Sequence, residues 1–156
     1  MHGCFACSFA TLLTPPIALW VWQQQRRVLR DGRPLAQAEA ARARAVGVKD
    51  AESIRLLALE TIPMPGPSWA HRVAQGLSFP ALSAAGMSVG RGIYIQRQFE
   101  HQEVILIHEC VHAAQYERYG IVGFIWRYLV QCLRYGYISA PFEREAVDLS
   151  KAACRD

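Results

Sequence analysis

Lysine is nearly absent from this chain, and arginine therefore supplies almost all of its net charge of +4. Lys49 and Lys151 are the only two lysines. A nucleic-acid groove needs clustered basic residues with aromatic residues between them, and the sequence shows no such pattern. We therefore expect no nucleic-acid partner. The arginines are scattered apart from one group, which consists of Arg26, Arg27, Arg30 and Arg33.

The cysteines do not form an obvious disulfide framework. The chain has five of them, and an odd number cannot all be paired within one chain. Cys110 and Cys132 fall within apolar, helix-like segments and are predicted to be small core residues. Cys4 and Cys7 form a C-x-x-C pair, but no second pair completes a zinc site and no thioredoxin-like context surrounds it. This usage favours a reducing compartment.

Charge is missing altogether from residues 3–22, which are mostly apolar. A segment of this length is near the minimum for crossing a bilayer, and Pro15-Pro16 is predicted to break or kink a helix in its middle. Trp20 and Trp22 precede a basic flank, as in a membrane-interface anchor. The basic residues follow the apolar run and no A-x-A site is present, which argues against a cleaved signal peptide. Three interpretations stay open: a membrane anchor with the body on the cytoplasmic side, which we favour, an interfacial segment, or an apolar arm docked on the domain.

The length of 156 residues and a hydrophobic content of 52% indicate one globular domain with a real core. We divide the chain into an apolar N-terminal segment with its basic flank, residues 1–33, and a main domain, residues 34–156. The fold class is predicted to be α+β, mainly helical, with a small β-sheet or hairpin beside the central helix. The predicted elements are a helix interrupted at 31–34, a second helix over 35–46, a strand over 53–59, an extended loop over 61–67, an ambiguous segment over 68–85, two short strands over 86–95, and helices over 102–119, about 121–135 and about 142–153.

The predicted helix over 102–119 carries the sequence H-E-x-x-H as His108, Glu109 and His112. Residues four apart lie on one face of a helix, so both imidazoles can point at one spot, and two neutral imidazoles suit a tetrahedral zinc. Glu109 lies one step round the helix and can reach a metal-bound water without being a ligand. Buried polar groups without partners would cost about 1–3 kcal/mol each, and a metal supplies the partner.

A catalytic zinc needs a third protein ligand, and no third histidine follows the motif at the expected spacing. The remaining acids of interest lie on the last predicted helix. We prefer Glu143 over Glu145, because Ala146 lies one turn after Glu143 on the same face and lets that helix approach closely. Glu145 stays open as the alternative. Candidates for supporting roles are Gln115 and Asp148, which can orient an imidazole, and Tyr135 and Tyr137, which can stabilise an oxyanion.

The sequence H-E-C-V-H, followed 31 residues after His112 by E-R-E-A, resembles the gluzincin metallopeptidases. Together with the G-I-Y-I hairpin and the P-F-E-x-E-A helix, it is similar to small bacterial zincins over about residues 86–150. The resemblance implies that His108, His112 and Glu143 bind zinc, that Glu109 is the general base, and that residues 87–95 form an edge strand for an extended peptide. Val147 stands where better-known gluzincins often carry an acid, which keeps the choice between Glu143 and Glu145 open.

The sequence therefore predicts a zinc-dependent hydrolase of the metallopeptidase class, with zinc as cofactor and a peptide or protein as substrate. A metal-bound water activated by Glu109 would attack the peptide carbonyl. We expect a bacterial protein that is either cytoplasmic or membrane-associated on the cytoplasmic side through residues 3–22. The alternative is a non-catalytic protein, either a zinc-stabilised or a membrane-associated adaptor.

Overall fold

The computed structural model describes residues 2–66 and 85–155 and has an α+β architecture in which helices predominate. This agrees with the predicted class. Residues 67–84, which include most of the segment that the sequence left ambiguous, lie outside the described residues. The elements are α1 (His2–Asp31), β1 (Arg33–Pro34), α2 (Gln37–Ala45), β2 (Arg55–Leu59), β3 (Gly86–Val89), β4 (Gly92–Gln96), α3 (Glu103–Tyr135) and α4 (Pro141–Ala153).

The sheet contains four described strands in the order β1-β2-β4-β3. Strands β2 and β4 are parallel, with Leu56 opposite Ile93, whereas β3 and β4 form an antiparallel hairpin. Gly90 turns this hairpin at a positive φ of 71°, a conformation that favours glycine. The two short strands predicted over 86–95 are thus confirmed. The expected edge strand over 87–95 is wrong for its second half, because β4 pairs with both β2 and β3 and only β3 lies at the edge of the described sheet.

The main core lies between the sheet and the first half of α3. Leu56, Ile93 and Ile95 are buried against Ile107 and Val111 of the helix. Alanines of α2 and α4 fill the sides of this cluster, because small residues let helices approach closely. The segment of α3 that carries H-E-x-x-H is therefore packed against the sheet and against helices α2 and α4.

The predicted roles of the two helical cysteines are confirmed, since Cys110 and Cys132 are both free and buried. Burial raises the pKa of each thiol to about 12. A thiol with such a pKa stays protonated near neutral pH and is a poor nucleophile or metal ligand. Both residues therefore act as small apolar groups of the core.

Helix α3 changes direction at Gly120, which has φ 69° and ψ 169°. A Cβ atom added there would meet nothing within 4 Å, so the backbone conformation, not lack of space, requires glycine. The helices predicted over 102–119 and 121–135 correspond to the two segments of α3. The kink allows the second segment to leave the sheet and pack beside α1 and α4.

Helix α1 continues through Pro15 and Pro16, so the predicted break does not occur. A proline inside a helix costs about 3 kcal/mol, because it removes a backbone hydrogen bond and crowds the preceding turn. Packing offsets this cost: the side of α1 that carries Ala10, Thr14 and Ala18 is buried. Docking of residues 3–22 on the domain corresponds to the third of the interpretations drawn from the sequence.

The C-terminal part of α1 rests on the sheet through Val28, which is fully buried. Gln24 accepts a hydrogen bond from the hydroxyl of Tyr94 at 3.0 Å, and Gln25 accepts one from the backbone N–H of Arg91 at 2.9 Å.

Across the part of the chain that the structure describes, no helix has both the length and the apolar character needed to cross a bilayer.

We predict that Gly92→Ala destabilises the fold by about 1–3 kcal/mol, the usual cost of overpacking. An added Cβ would lie 2.8 Å from the Cβ of Val28, so α1 would be forced away from the sheet. Thermal unfolding measures the effect. Gly123→Ala is the matched control, since its Cβ would lie 3.3 Å from the flexible end of Arg127 and in ordinary van der Waals contact, at 3.5 Å, with the Cβ of Tyr119. Equal stability of the two variants would contradict the close docking of α1.

Candidate metal centre

The two motif histidines lie one turn apart on the first segment of α3 and point at the same spot. Their ring centroids are 4.9 Å apart and the rings are nearly perpendicular, at 79°. The Nε2 atoms of His108 and His112 are 3.2 Å apart. Two nitrogen atoms at this distance repel each other through their lone pairs unless a proton or a metal ion lies between them.

The third group at this spot is Glu143, in the first turn of α4. Its Oε1 lies 3.3 Å from Nε2 of His112, and its Oε2 lies 3.4 Å from Nε2 of His108. The N-terminal end of a helix favours a negative charge. Ala146, one turn later and fully buried, lets α4 approach α3 closely enough for the carboxylate to reach both rings.

These three side chains form a group that could hold a metal ion, and the spacing of zinc ligands gives a comparison. Bonds of about 2.0–2.1 Å at tetrahedral angles place ligand atoms about 3.3 Å apart. The two imidazole Nε2 atoms are 3.2 Å apart, and they lie 3.3 and 3.4 Å from different oxygens of the Glu143 carboxylate. With one ligand atom taken from each residue, all three atoms lie within 4.8 Å of one another. Two imidazole nitrogens with one carboxylate oxygen form a donor set of catalytic zinc sites, in which the fourth position stays open. Among the described residues, this is the group of histidine and acidic side chains that can hold a metal ion.

Gln115 determines which nitrogen of His112 is available to a metal. Its Nε2 donates to the carbonyl of Phe142 at 3.2 Å and to Oε2 of Glu145 at 2.8 Å. Because both partners are acceptors, the amide oxygen of Gln115 must face His112 and accept from its Nδ1–H, at 2.9 Å. His112 therefore keeps its Nε2 lone pair for the metal, which is the tautomer that a ligand needs.

The structure groups the histidines with Glu143, which the sequence favoured, and not with the alternative Glu145. Glu143 faces the imidazoles, whereas Glu145 binds Gln115 and lies 3.4 Å from Arg118. Glu145 thus holds the residue that orients His112 and does not itself converge on the histidines. Asp148, the other candidate for orienting an imidazole, is exposed.

Tyr128 is a site residue that the sequence analysis did not single out. It lies on the second segment of α3, and its hydroxyl donates to Oε1 of Glu143 at 2.6 Å. Burial, and next the charge of Glu143, raise the pKa of Tyr128 well above its usual value, so the phenol stays a donor. No spacing in the sequence predicts this contact, because the kink at Gly120 decides which face of the second segment returns to the site.

The electrostatics of the centre favour a bound cation. Burial lowers the pKa of His112, but a hydrogen bond to Glu143 and nearby negative charges outweigh this and raise the pKa to about 9. Burial raises the pKa of Glu143, but hydrogen bonds from His108 and His112 outweigh it and bring the pKa well below its usual value. The pair therefore holds a proton near neutral pH whenever no metal ion is bound.

Glu109 lies on α3 beside the ligand group and is held by strand β3. Its Oε2 accepts a hydrogen bond from the hydroxyl of Ser88 at 2.9 Å, and it is only 6% exposed. A Cβ on Gly86 would lie 2.7 Å from Cγ of Glu109, so this position has room only for glycine. Glu109 and His108 line the same pocket, which places a carboxylate next to the metal position without making it a ligand.

The pocket beside the centre has a volume of about 290 Å³. Tyr137 lies at this pocket, whereas Tyr135 is 57% exposed and is not among its lining residues. Burial, followed by the charges of Glu143 and Glu109 and a hydrogen bond with Glu143, raises the pKa of Tyr137, so its phenol stays neutral. The other lining residues include Gly86, Val104, Ile105, Val147, Ser150 and Lys151.

We predict that zinc binding near neutral pH releases close to one proton from the protein. Below its pKa of about 9, His112 holds a proton that the metal must displace. The apparent affinity should therefore rise by up to about tenfold per pH unit as the pH approaches that value, and level off above it. Calorimetric titrations in buffers of different ionisation enthalpy measure the released proton. Binding without proton release would contradict the protonated His112–Glu143 pair.

We predict that Gln115→Met weakens zinc binding by about 10–100-fold, the usual effect of removing a group that orients a ligand. Methionine has a similar volume but cannot accept the Nδ1–H of His112. Competition with a chromophoric chelator measures the affinity. Arg118→Met is the control, because Arg118 lies on the exposed side of Glu145 and should leave the affinity unchanged. Equal loss in both variants would show that Gln115 does not orient the ligand.

No similarity to a known protein adds to this geometry. Comparisons of the chain with protein-family models, with curated proteins and with solved structures find no match. The features of this chain that bear on function are the three converging side chains, Glu109 and the adjoining pocket.

Proposed function

We propose that this protein is a zinc-dependent hydrolase, specifically a metallopeptidase of the gluzincin type. The observation that carries the proposal is the convergence of His108, His112 and Glu143, whose ligand atoms lie within 4.8 Å of one another, next to a buried carboxylate that is not part of this group. In this proposal the domain is zincin-like, with the β3–β4 hairpin lying beside the helix that carries the ligands.

The residues of the centre have distinct roles in this reaction. Zinc bound by His108, His112 and Glu143 would polarise a carbonyl group and lower the pKa of a bound water. Glu109 accepts a proton from the attacking water and later donates it to the leaving amine nitrogen. A C–O bond forms as the peptide C–N bond breaks, so one water is consumed for each bond cleaved.

The pocket and strand β3 suggest how a peptide would lie. Val104, Ile105 and Val147 provide apolar walls, which suit an apolar side chain of the substrate. An extended peptide can pair with the backbone of an edge strand, and β3 is the edge strand nearest the centre in the described sheet. Tyr137 is the neutral donor that could stabilise the developing oxyanion.

The alternative is a zinc site that only stabilises the fold. Structural zinc sites are closed by four protein ligands, whereas the group found among the described residues supplies three and adjoins a pocket at His108. A non-catalytic adaptor would also have no need for Glu109, a buried acid outside the ligand group. Both observations favour catalysis.

We predict that Glu109→Gln retains zinc but lowers hydrolysis by about 10²–10⁴-fold, the usual contribution of a general base. Glutamine is nearly isosteric and can still contact Ser88, but it cannot accept a proton. The measurement pairs zinc analysis with cleavage of a panel of unstructured proteins. Glu103→Gln is the control, since it makes the same change in the first turn of α3, at a partly exposed side chain paired with Arg42.

Equal turnover by the wild type and by Glu109→Gln would remove Glu109 from the mechanism. A wild type that binds zinc fully and cleaves no member of the panel would favour the structural-zinc alternative.

A further inference from the structure

Helix α1 shows an inverted distribution of side chains. Over residues 6–18 its buried positions are the small residues Ala6, Ala10, Thr14 and Ala18, whereas large apolar side chains face outward: Leu12 is 72% exposed, Leu19 57% and Trp22 44%. A helix on a water-facing surface normally has the reverse pattern. We use the term "apolar face of α1" for the exposed residues Leu12, Pro15, Pro16, Leu19 and Trp22.

The apolar face is continuous and uncharged. From Leu12 to Trp22 it extends about 15 Å along the helix at 1.5 Å per residue. Its far end meets Arg26, whose guanidinium lies 4.9 Å from the ring centroid of Trp22. A tryptophan followed by arginine at the end of an apolar face is typical of a segment at a membrane–water interface.

The second segment of α3 extends this surface. Trp126 donates a hydrogen bond from Nε1 to the hydroxyl of Thr11 at 3.1 Å, and Thr11 lies on the exposed side of α1. Val122 and Leu133, which lie four residues before and seven after Trp126 on the same helix face, are 62% and 41% exposed. The two helices thus present apolar side chains to solvent together.

The charge of the residues around these apolar side chains indicates which kind of partner covers them. Residues 2–30 and 118–142 contain six arginines and no aspartate or glutamate, although the chain has 13 acidic residues. Two of the six are paired with acids outside these ranges, Arg30 with Asp31 and Arg118 with Glu145, so the other four carry the argument. A second copy of the chain would bring the same positive charge to the interface, which opposes self-association. A layer of anionic phospholipid offers both negative headgroups for the arginines and an apolar region for the side chains.

We propose that the apolar face of α1, together with the exposed side of the second α3 segment, binds the surface of an anionic phospholipid membrane. Because the opposite side of α1 is buried against the domain, the helix lies in the plane of the interface. The apolar side chains enter the headgroup region, and arginines such as Arg26 and Arg27 contact lipid phosphates. This property is independent of the proposed hydrolase activity.

The test is sedimentation of the full chain with vesicles of phosphatidylcholine alone or of phosphatidylcholine mixed with phosphatidylglycerol. The wild type should bind the mixed vesicles, bind the neutral vesicles weakly, and dissociate as salt screens the arginines. Leu12→Gln combined with Leu19→Gln should weaken binding by about tenfold or more, because apolar area drives insertion. Leu149→Gln, at an exposed leucine of α4, is the matched control and should bind normally.

A second pair of variants tests the charge. Arg26→Gln with Arg27→Gln should weaken binding to the mixed vesicles, whereas Arg91→Gln with Arg155→Gln makes the same change in net charge at other exposed positions and should have little effect. All these substitutions are at exposed side chains, so melting temperatures should match that of the wild type.

Two results would overturn the proposal. One is that the wild type fails to bind mixed vesicles, or that the variant with Leu12→Gln and Leu19→Gln binds them as tightly as the wild type does. The other is a dimer, detected by sedimentation velocity, that those changes dissociate while the wild type shows no vesicle binding. In that case the apolar face of α1 is covered by a second copy of the chain.

Discussion

The buried carboxylate of Glu143 is the group on which the arrangement of the helices depends. An ionised carboxylate away from water must be paired, and Glu143 finds its partners on both segments of α3. His108 and His112 lie on the first segment, and Tyr128 on the second. The kink at Gly120 and the close approach of α4 together bring these partners to one buried charge.

The same packing aligns the groups around the ligands. Gln115 is fully buried and joins His112 to α4, so any shift of α4 would disturb both the carboxylate of Glu143 and the orientation of the imidazole. On the opposite side, Gly86 and Ser88 of β3 hold Glu109. The hairpin thus contributes to the chemistry by positioning the proposed base, in addition to completing the sheet.

Local patterns in the sequence determined much of the fold. Apolar periodicity predicted both segments of α3 and the last helix, and the closely spaced glycines predicted the hairpin. The placement of His108 and His112 on one face follows from the geometry of a helix alone, since residues four apart always lie together. The same geometry puts Glu109 next to this face. These predictions succeed because they depend only on near neighbours in the chain.

Tertiary structure alone decided the rest. Glu143 and Glu145 lie about 200° apart around a helix, so the one that faces the histidines depends on how α4 packs. Tyr128 reaches Glu143 only because the kink at Gly120 turns the second segment of α3 back towards the site. Helix α1 continues through Pro15 and Pro16 because burial of its small residues offsets the local cost. In each case the deciding energy comes from contacts between residues far apart in the chain, which no local pattern records.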